Sequence, residues 1–284
     1  MNTKGVVLFA SNNGSLNYVK QASFLARRIK KYMNLPTTII TDIDIHKKHP
    51  YWVKHFDKII YYRQLRTHSQ NKRYFDGDLY NRHLMFNNSN RQSVYRMSPY
   101  DETIVMDTDY IISNDKLLEC FNSPHDFLIY KDATHIGIHD GTSEFEHISD
   151  VGIDFYWATV FFFRKTPEMK IFFDLVRHIE ENYIHYRSVY QFRSPIFRND
   201  FAFSIAIHIM NGYQSGNFAK SMPGKKYYAT DRDICLQIKD GNIKLLTQKK
   251  QHLGEYTGVN MNDVNVHIMN KFSLERAIDE INNQ

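Results

Sequence analysis

Two carboxylates two residues apart, Asp107 and Asp109, close the apolar run Thr103-Ile104-Val105-Met106. Such a run reads as a strand buried on both faces. In an open α/β sheet, ligands bind outside the carboxyl ends of the strands, where these acids would lie. If the backbone stays extended, residues i and i+2 point to one side, so both carboxylates can reach a single cation. Hard oxygen ligands that leave coordination positions open suit Mg²⁺ or Mn²⁺ bridging the phosphates of a nucleotide. The alternative for a bare Asp-x-Asp is a pair of turn-forming residues at a strand end.

The elements that must position this pair can be read from periodicity. Val6 to Ala10 is a buried strand, and Ser11-Asn12-Asn13-Gly14-Ser15 a loop. Tyr18, Ala22, Leu25, Ile29 and Tyr32 recur at helical spacing before Pro36, and Thr37 to Thr41 is β-branched. Lys58 to Tyr62, Phe127 to Tyr130 and Ala158 to Phe163 read as further strands. Residues 63–80, with Arg63, Arg66, His68, Lys72 and Arg73, read as a polar surface loop, followed by a helix from about Leu79 to Met97. Thr166-Pro167-Glu168 starts a helix: Thr caps, Pro fits the first turn and Glu meets the positive end of the dipole. Phe201 to Met210 is almost wholly apolar and reads as a deeply buried helix. Asp240-Gly241 turns a hairpin between 233–239 and 242–247. A strand at Val264 to Ile268 and a helix opening at Ser273 close the chain. Strands alternating with helices predict an α/β fold whose mixed, mainly parallel central sheet is flanked by helices, with a small C-terminal hairpin.

The chain has 284 residues, 42% of them apolar and 24% charged. With no repeat or low-complexity linker, the expectation is one domain over 1–284. Its first part, 1–110, would bind nucleotide, and 111–284 would bind the acceptor. Gly and Pro number only 12 and 7, which excludes collagen-like and disordered chains. No stretch approaches the ~18 apolar residues of a membrane span, and no apolar leader is visible, so a cytoplasmic location is expected. Cys120 and Cys235 form neither a disulfide framework nor a zinc spacing. Residues 1–100 carry 17 Lys/Arg and five Asp/Glu, a net +12, while the remainder carries 19 against 26, a net −7. A basic part of this size points to an anionic partner or to a solvated surface.

Four phrases of the sequence resemble the metal-dependent glycosyltransferases of the GT-A fold, most of all the glycogenin and lipopolysaccharide galactosyltransferase group. They are Leu8-Phe9-Ala10-Ser11-Asn12, the stretch Arg91 to Asp109 with its Ser98-Pro99-Tyr100-Asp101 turn and Asp-x-Asp, Tyr156 to Thr166, and Asn265-Val266-His267-Ile268-Met269-Asn270-Lys271. The resemblance implies that Asp107, Asp109 and His267 hold Mn²⁺ or Mg²⁺. Ala10, Ser11, Asn12 and Asp42 would line the base and ribose pocket, with Thr108 also on the nucleotide sugar. Arg91 and Lys271 would neutralise phosphate. Asp200 is the candidate catalytic carboxylate, beside the alternative that it caps the helix from Phe201, and Asp154 is a second candidate. The chain has Ala158-Thr159-Val160 where the family often has Asn-x-Gly, and His-x-x-x-Lys where it has His-x-x-Gly-x-x-Lys.

The activity so implied is transfer of a sugar from a nucleotide-sugar donor to an acceptor hydroxyl. The basic N-terminal part and 14% aromatic content admit a DNA acceptor, such as 5-hydroxymethylcytosine in bacteriophage DNA, with Tyr51-Trp52 assisting base extrusion. A saccharide or lipid-linked glycan is the other acceptor class. A metal-dependent nuclease would need further clustered carboxylates or a Walker glycine loop, and neither is seen. A non-catalytic nucleic-acid-binding protein is the remaining class, and it predicts DNA binding indifferent to Asp107→Asn.

Overall fold

The apolar runs assemble as a six-stranded sheet ordered β3-β2-β1-β6-β10-β8 in a computed structural model that describes residues 2–63, 70–137, 146–148, 152–192, 194–249 and 252–282. Strands β1 (Lys4–Phe9), β2 (Thr37–Thr41), β3 (Lys58–Tyr61) and β6 (Glu102–Met106) are mutually parallel, and β10 (Trp157–Arg164) runs against both β6 and β8 (Phe127–Tyr130). Helices flank the sheet: α1 (Tyr18–Tyr32) packs against β2, while α5 (Pro167–Glu181) and α7 (Asn199–Met210) pack together beside β10. This is the mixed, mainly parallel α/β architecture the sequence predicts. Between β1 and β6 the chain reverses its direction of travel across the sheet, the position at which α/β sheets open a ligand crevice.

Most of the aromatic content is core. Phe161 and Phe163 of β10 meet Phe203 at 5.0 Å and Phe173 at 4.9 Å, and Phe127 meets Phe172 at 4.7 Å. Met169, Phe172, Phe173, Val176 and Ile179 form a buried stripe along α5, whose cap is Thr166 accepting from the Met169 amide. Tyr51 and Trp52 lie on the short helix Pro50–Val53, where Trp52 stacks on His49 at 4.6 Å. Neither lines the cavity at the carboxyl end of β6.

Residues 63–97 depart from expectation. Instead of a loop and a long helix, β4 (Gln70–Phe75) and β5 (Asn81–Phe86) form an antiparallel hairpin, and only Arg91–Ser93 and α4 (Val94–Met97) are helical. Between them Asn87, Asn88, Ser89 and Asn90 are buried. Asn88 exchanges hydrogen bonds with the Ser11 backbone (2.7 and 3.1 Å) and Asn87 donates to the Asn12 carbonyl (3.2 Å). Short amide side chains that bond backbone compete with helix formation, and here that competition wins. Arg66 and His68 lie outside the described residues. The C-terminal hairpin of β12 (Ile234–Lys239) and β13 (Asn242–Gln248) turns at Asp240, φ 50°, and gains a third strand, β14 (Tyr256–Asn262).

A second small sheet, ordered β7-β15-β11-β9, consists of β7 (Tyr110–Ile111), β15 (Val266–Ile268), β11 (Tyr227–Ala229) and β9 (Thr134–His135). It sets His267 opposite Tyr110 on one side and Tyr228 on the other.

Near the end of α5, Glu180 is buried and accepts a hydrogen bond from Gln92. Burial, and then the neighbouring Glu181, push its carboxyl up from an ordinary 4.5 to about 8. The unfolded chain releases this proton near 4.5 and the folded chain near 8, so folded stability falls as pH rises through that window. Glu180→Gln, which stays neutral, is expected to match the wild-type melting temperature near pH 5 and exceed it at pH 8, by on the order of a few kcal/mol in stability. Thermal denaturation at both pH values measures this, and equal curves at pH 8 would contradict it.

Candidate active site

The carboxyl end of β6 opens onto a cavity of about 730 Å³ whose wall includes Asp107, Thr108, Asp109, Arg91, His267 and Lys271. The two acids differ in setting. Asp107 keeps 28% of its side chain exposed, while Asp109 is only 3% exposed. Asp107 is anchored by its amide to the Thr159 carbonyl of β10 (2.8 Å). Its Oδ1 accepts from Arg91 Nε at 3.1 Å and also from Nη2. Arg91 lies over the Phe9 ring at 4.9 Å, and its Nη1 is buried with no hydrogen-bond partner among the described residues.

Asp109 is held by two elements distant in sequence. Its carbonyl accepts from the Ile268 amide at 2.9 Å, a bond just beyond the β7–β15 pairing. Its Oδ2 lies 3.2 Å from His267 Nε2 and accepts from Lys271 Nζ at the start of α8 (Lys271–Asn282). Burial alone would push the Asp109 carboxyl up, but the Lys271 and His267 charges outweigh it and hold the group well below the usual carboxylate range. Burial holds the His267 imidazole below its ordinary value against the opposing pull of Asp109. Lys271 is raised, the Asp109 charge overcoming desolvation.

One ligand atom from each of Asp107, Asp109 and His267 falls within 4.8 Å of the others. Two carboxylates and an imidazole form a donor set that fits a divalent cation of the Mn²⁺ or Mg²⁺ kind. His267 Nδ1 is buried without a partner among the described residues, so the ring is not locked in place from behind.

Asp200 stands in the first turn of α7, but Arg198 occupies the N-cap position and no side chain caps that helix. The helix-cap alternative therefore does not hold. The Asp200 carboxylate instead accepts from the Ala158 amide at 3.0 Å and from Arg198 at 2.8 and 3.2 Å, and it lines the cavity. Ala158 sits where the β10–β8 register shifts, between Trp157 and Phe161, so the acid satisfies an amide that the irregular strand leaves free.

Other predicted residues stand elsewhere. Ala10 and Ser11 are fully buried just past β1, Asn12 accepts from the Val19 amide at the start of α1, and Asp42 follows β2. None of these four is part of the cavity wall. Asp154 is ion-paired with Lys131 at 3.0 Å and is likewise outside it. Phe9 and Asn88 take the place on the wall expected of Ala10 to Asn12.

Sequence reading missed Asn88, Lys72 of β4, and Asp231. The Asn-Asn-Ser-Asn run is a loop composition that should have broken the predicted helix. Lys72 lies over the Tyr74 and Phe86 rings at 5.7 and 5.3 Å and reaches the cavity because Gln70 pairs both ways with the Phe197 backbone (2.6 and 3.0 Å). Asp231 lies in an acidic turn, Asp231-Arg232-Asp233, whose cavity-facing position no local pattern signals.

No family model matches the sequence, and no curated protein matches it. Among solved structures, the chain is similar to the glycosyltransferase GlyE of Streptococcus pneumoniae TIGR4, at 11% identity and a TM-score of 0.41, over 78% of this chain and 45% of that one. It is also similar to the bifunctional glycosyltransferase WbbM, at 12% identity and a TM-score of 0.38, over 63% of this chain and 34% of that one. A third likeness is to mouse xyloside xylosyltransferase 1, at 9% identity and a TM-score of 0.45, over 78% of this chain and 85% of that one. The chain thus spans less than half the length of the first two structures, and likenesses of this extent do not bear on what it does.

Proposed function

We propose that the chain transfers a sugar from a nucleotide-diphosphate donor to an acceptor hydroxyl, with a divalent metal held by Asp107, Asp109 and His267. The observation that carries this reading is their convergence, within 4.8 Å, at the carboxyl end of a central strand and between two cations, Arg91 and Lys271. A cavity of about 730 Å³ is in the range of small-molecule sites and has room for such a donor. In the reaction the bond from anomeric carbon to phosphate oxygen breaks, the acceptor oxygen bonds that carbon, and the hydroxyl proton passes to the departing diphosphate, which takes the electron pair of the broken bond.

When bound, the metal supplies Lewis-acid stabilisation of the departing diphosphate. The chain's own residues do the rest. Arg91, whose buried Nη1 has no partner among the described residues, and Lys271 place fixed donors where phosphate charge grows. Asp200, held by Arg198 and the Ala158 amide, presents a fixed negative charge toward a sugar that becomes oxocarbenium-like.

For the acceptor, the reading is a hydroxymethylated cytosine in DNA. It is supported by the net +12 over residues 1–100 and by the β4–β5 hairpin, whose Lys72 and Arg73 reach the cavity. Saccharide acceptors are the competing class, supported by the aromatic wall of Trp157, Phe197 and Tyr228 in the same cavity. The test is a thermal-shift screen of nucleoside diphosphates with and without Mn²⁺, followed by transfer assays on hydroxymethylcytosine DNA and on glycans. A metal-dependent shift with at least one diphosphate is expected, and no shift with any would overturn the enzyme reading. Product on glycans alone would end the DNA reading.

A further inference from the structure

Beneath the wall of the cavity lies a cation that none of these roles uses. Lys226, just before β11, is 1% exposed, and its ammonium faces three rings: Trp157 at 5.0 Å, Tyr110 at 5.4 Å and Tyr130 at 5.9 Å. Among the described residues its Nζ has no hydrogen-bond partner and forms no ion pair. Cation–π attraction offsets part of its desolvation. Burial still pulls the ammonium down to about 8, against the opposing charges of Asp107, Asp200 and Asp109, which leaves it mainly charged at neutral pH. A buried charge without a hydrogen bond is destabilising, and an apolar residue of the same length would fold better. Something other than stability accounts for the lysine.

The charges around the site give the reason. Asp107, Asp109 and Asp200 each already have a cation of their own: Arg91, Lys271 and Arg198. Lys226 is a fourth cation without a carboxylate to itself. Lys72, Arg73 and Arg232 share the cavity wall with Asp231 and Asp233, so that with Lys226 seven cations stand against five carboxylates before the ion arrives. A bare cation meets repulsion from this charge, whereas a diphosphate meets attraction and brings enough negative charge to reverse the sign of the site.

We propose that Lys226 is a positioning residue that makes divalent-metal capture conditional on the nucleoside diphosphate, its buried charge opposing the bare ion and favouring the ion and diphosphate together. This rests on the metal and nucleotide reading of the site given above. It adds a residue outside the Asp107, Asp109 and His267 ligand set and a coupling that the ligand residues alone do not set.

The experiment titrates the full chain with Mn²⁺, following the electron paramagnetic resonance of the free ion, with and without each common nucleoside diphosphate. Wild type is compared with Lys226→Met, Lys226→Gln and Lys226→Arg. Both neutral variants should bind Mn²⁺ alone roughly tenfold or more tighter than wild type. The enhancement by diphosphate should shrink by a similar factor, because the coupling is shared between the two ligands. Lys226→Arg, which keeps the charge, should retain the wild-type coupling, and Lys226→Met should melt no lower than wild type. A merely structural lysine would loosen metal binding on replacement. Mn²⁺ affinity that is unchanged or weaker in both folded neutral variants, with the diphosphate enhancement intact, would sink the role of Lys226 alone. Absence of Mn²⁺ binding by wild type with every diphosphate would remove the reading of the site, and this inference with it.

Discussion

Asp107→Asn is expected to lower sugar transfer by at least ~10³-fold while leaving the protein folded, and Asp109→Asn to lose both activity and much of the stability. The difference follows from their settings. Asp107 is partly exposed at the cavity, and an asparagine there can still accept from Arg91, so an unfolding cost of only about 1 kcal/mol is expected. Asp109 is buried against Lys271 and His267, and its neutralisation leaves the Lys271 ammonium buried without a countercharge. Breaking one side of a buried ion pair costs about 3–5 kcal/mol, reduced where the replacement still accepts a hydrogen bond. Urea denaturation read beside transfer rate and Mn²⁺-dependent diphosphate binding separates the two variants. Full transfer activity in Asp107→Asn would leave the pair as a structural turn and end the metal reading.

The second large effect is expected at Arg91. Arg91→Lys keeps a positive charge but gives up the fork that grips Asp107 and the second guanidinium edge, whose Nη1 has no partner among the described residues. An ammonium is a point charge and cannot serve a carboxylate and a phosphate at once in the same geometry. A loss of roughly 10²-fold in kcat is expected, with a smaller change in KM, because the phosphate charge develops in the transition state. Stability should fall by about 1–2 kcal/mol, since the stacked contact with Phe9 at 4.9 Å is also disturbed. Steady-state kinetics measures the split. An unchanged kcat would make Arg91 a structural partner of Asp107 and nothing more.

The local elements around the acids were legible because their causes are local. The β1 run, the α1 stripe, the apolar strand before Asp107, and the Thr166-Pro167 start of α5 each follow from spacing or capping within a few residues, and all are present. The predicted helix over 79–97 failed for a non-local reason. Asn87 and Asn88 spend their amides on the Ser11–Asn12 backbone some 75 residues away, which no window over 79–97 contains. The same is true of Asp200. Its type and its place before an apolar helix could be read, but its bond to the Ala158 amide depends on an irregularity in β10.

By itself the sequence determined that two acids follow a buried strand, that a mixed α/β sheet must carry them, and that a histidine and a lysine lie four residues apart near the C-terminus. Only the tertiary structure decided that these meet. His267 reaches Asp109 because β15 pairs with β7 in one register, across a separation of 158 residues. A slip of one residue would turn the imidazole to the other face of that small sheet. Likewise Lys226 reads in the sequence as one more basic residue beside Lys225. Its character as a caged, unshared charge appears only where three rings from three separate strands close around it. Side-chain pattern fixes which face of an element is apolar, but the distances that make a site are set by strand pairing between segments far apart along the chain.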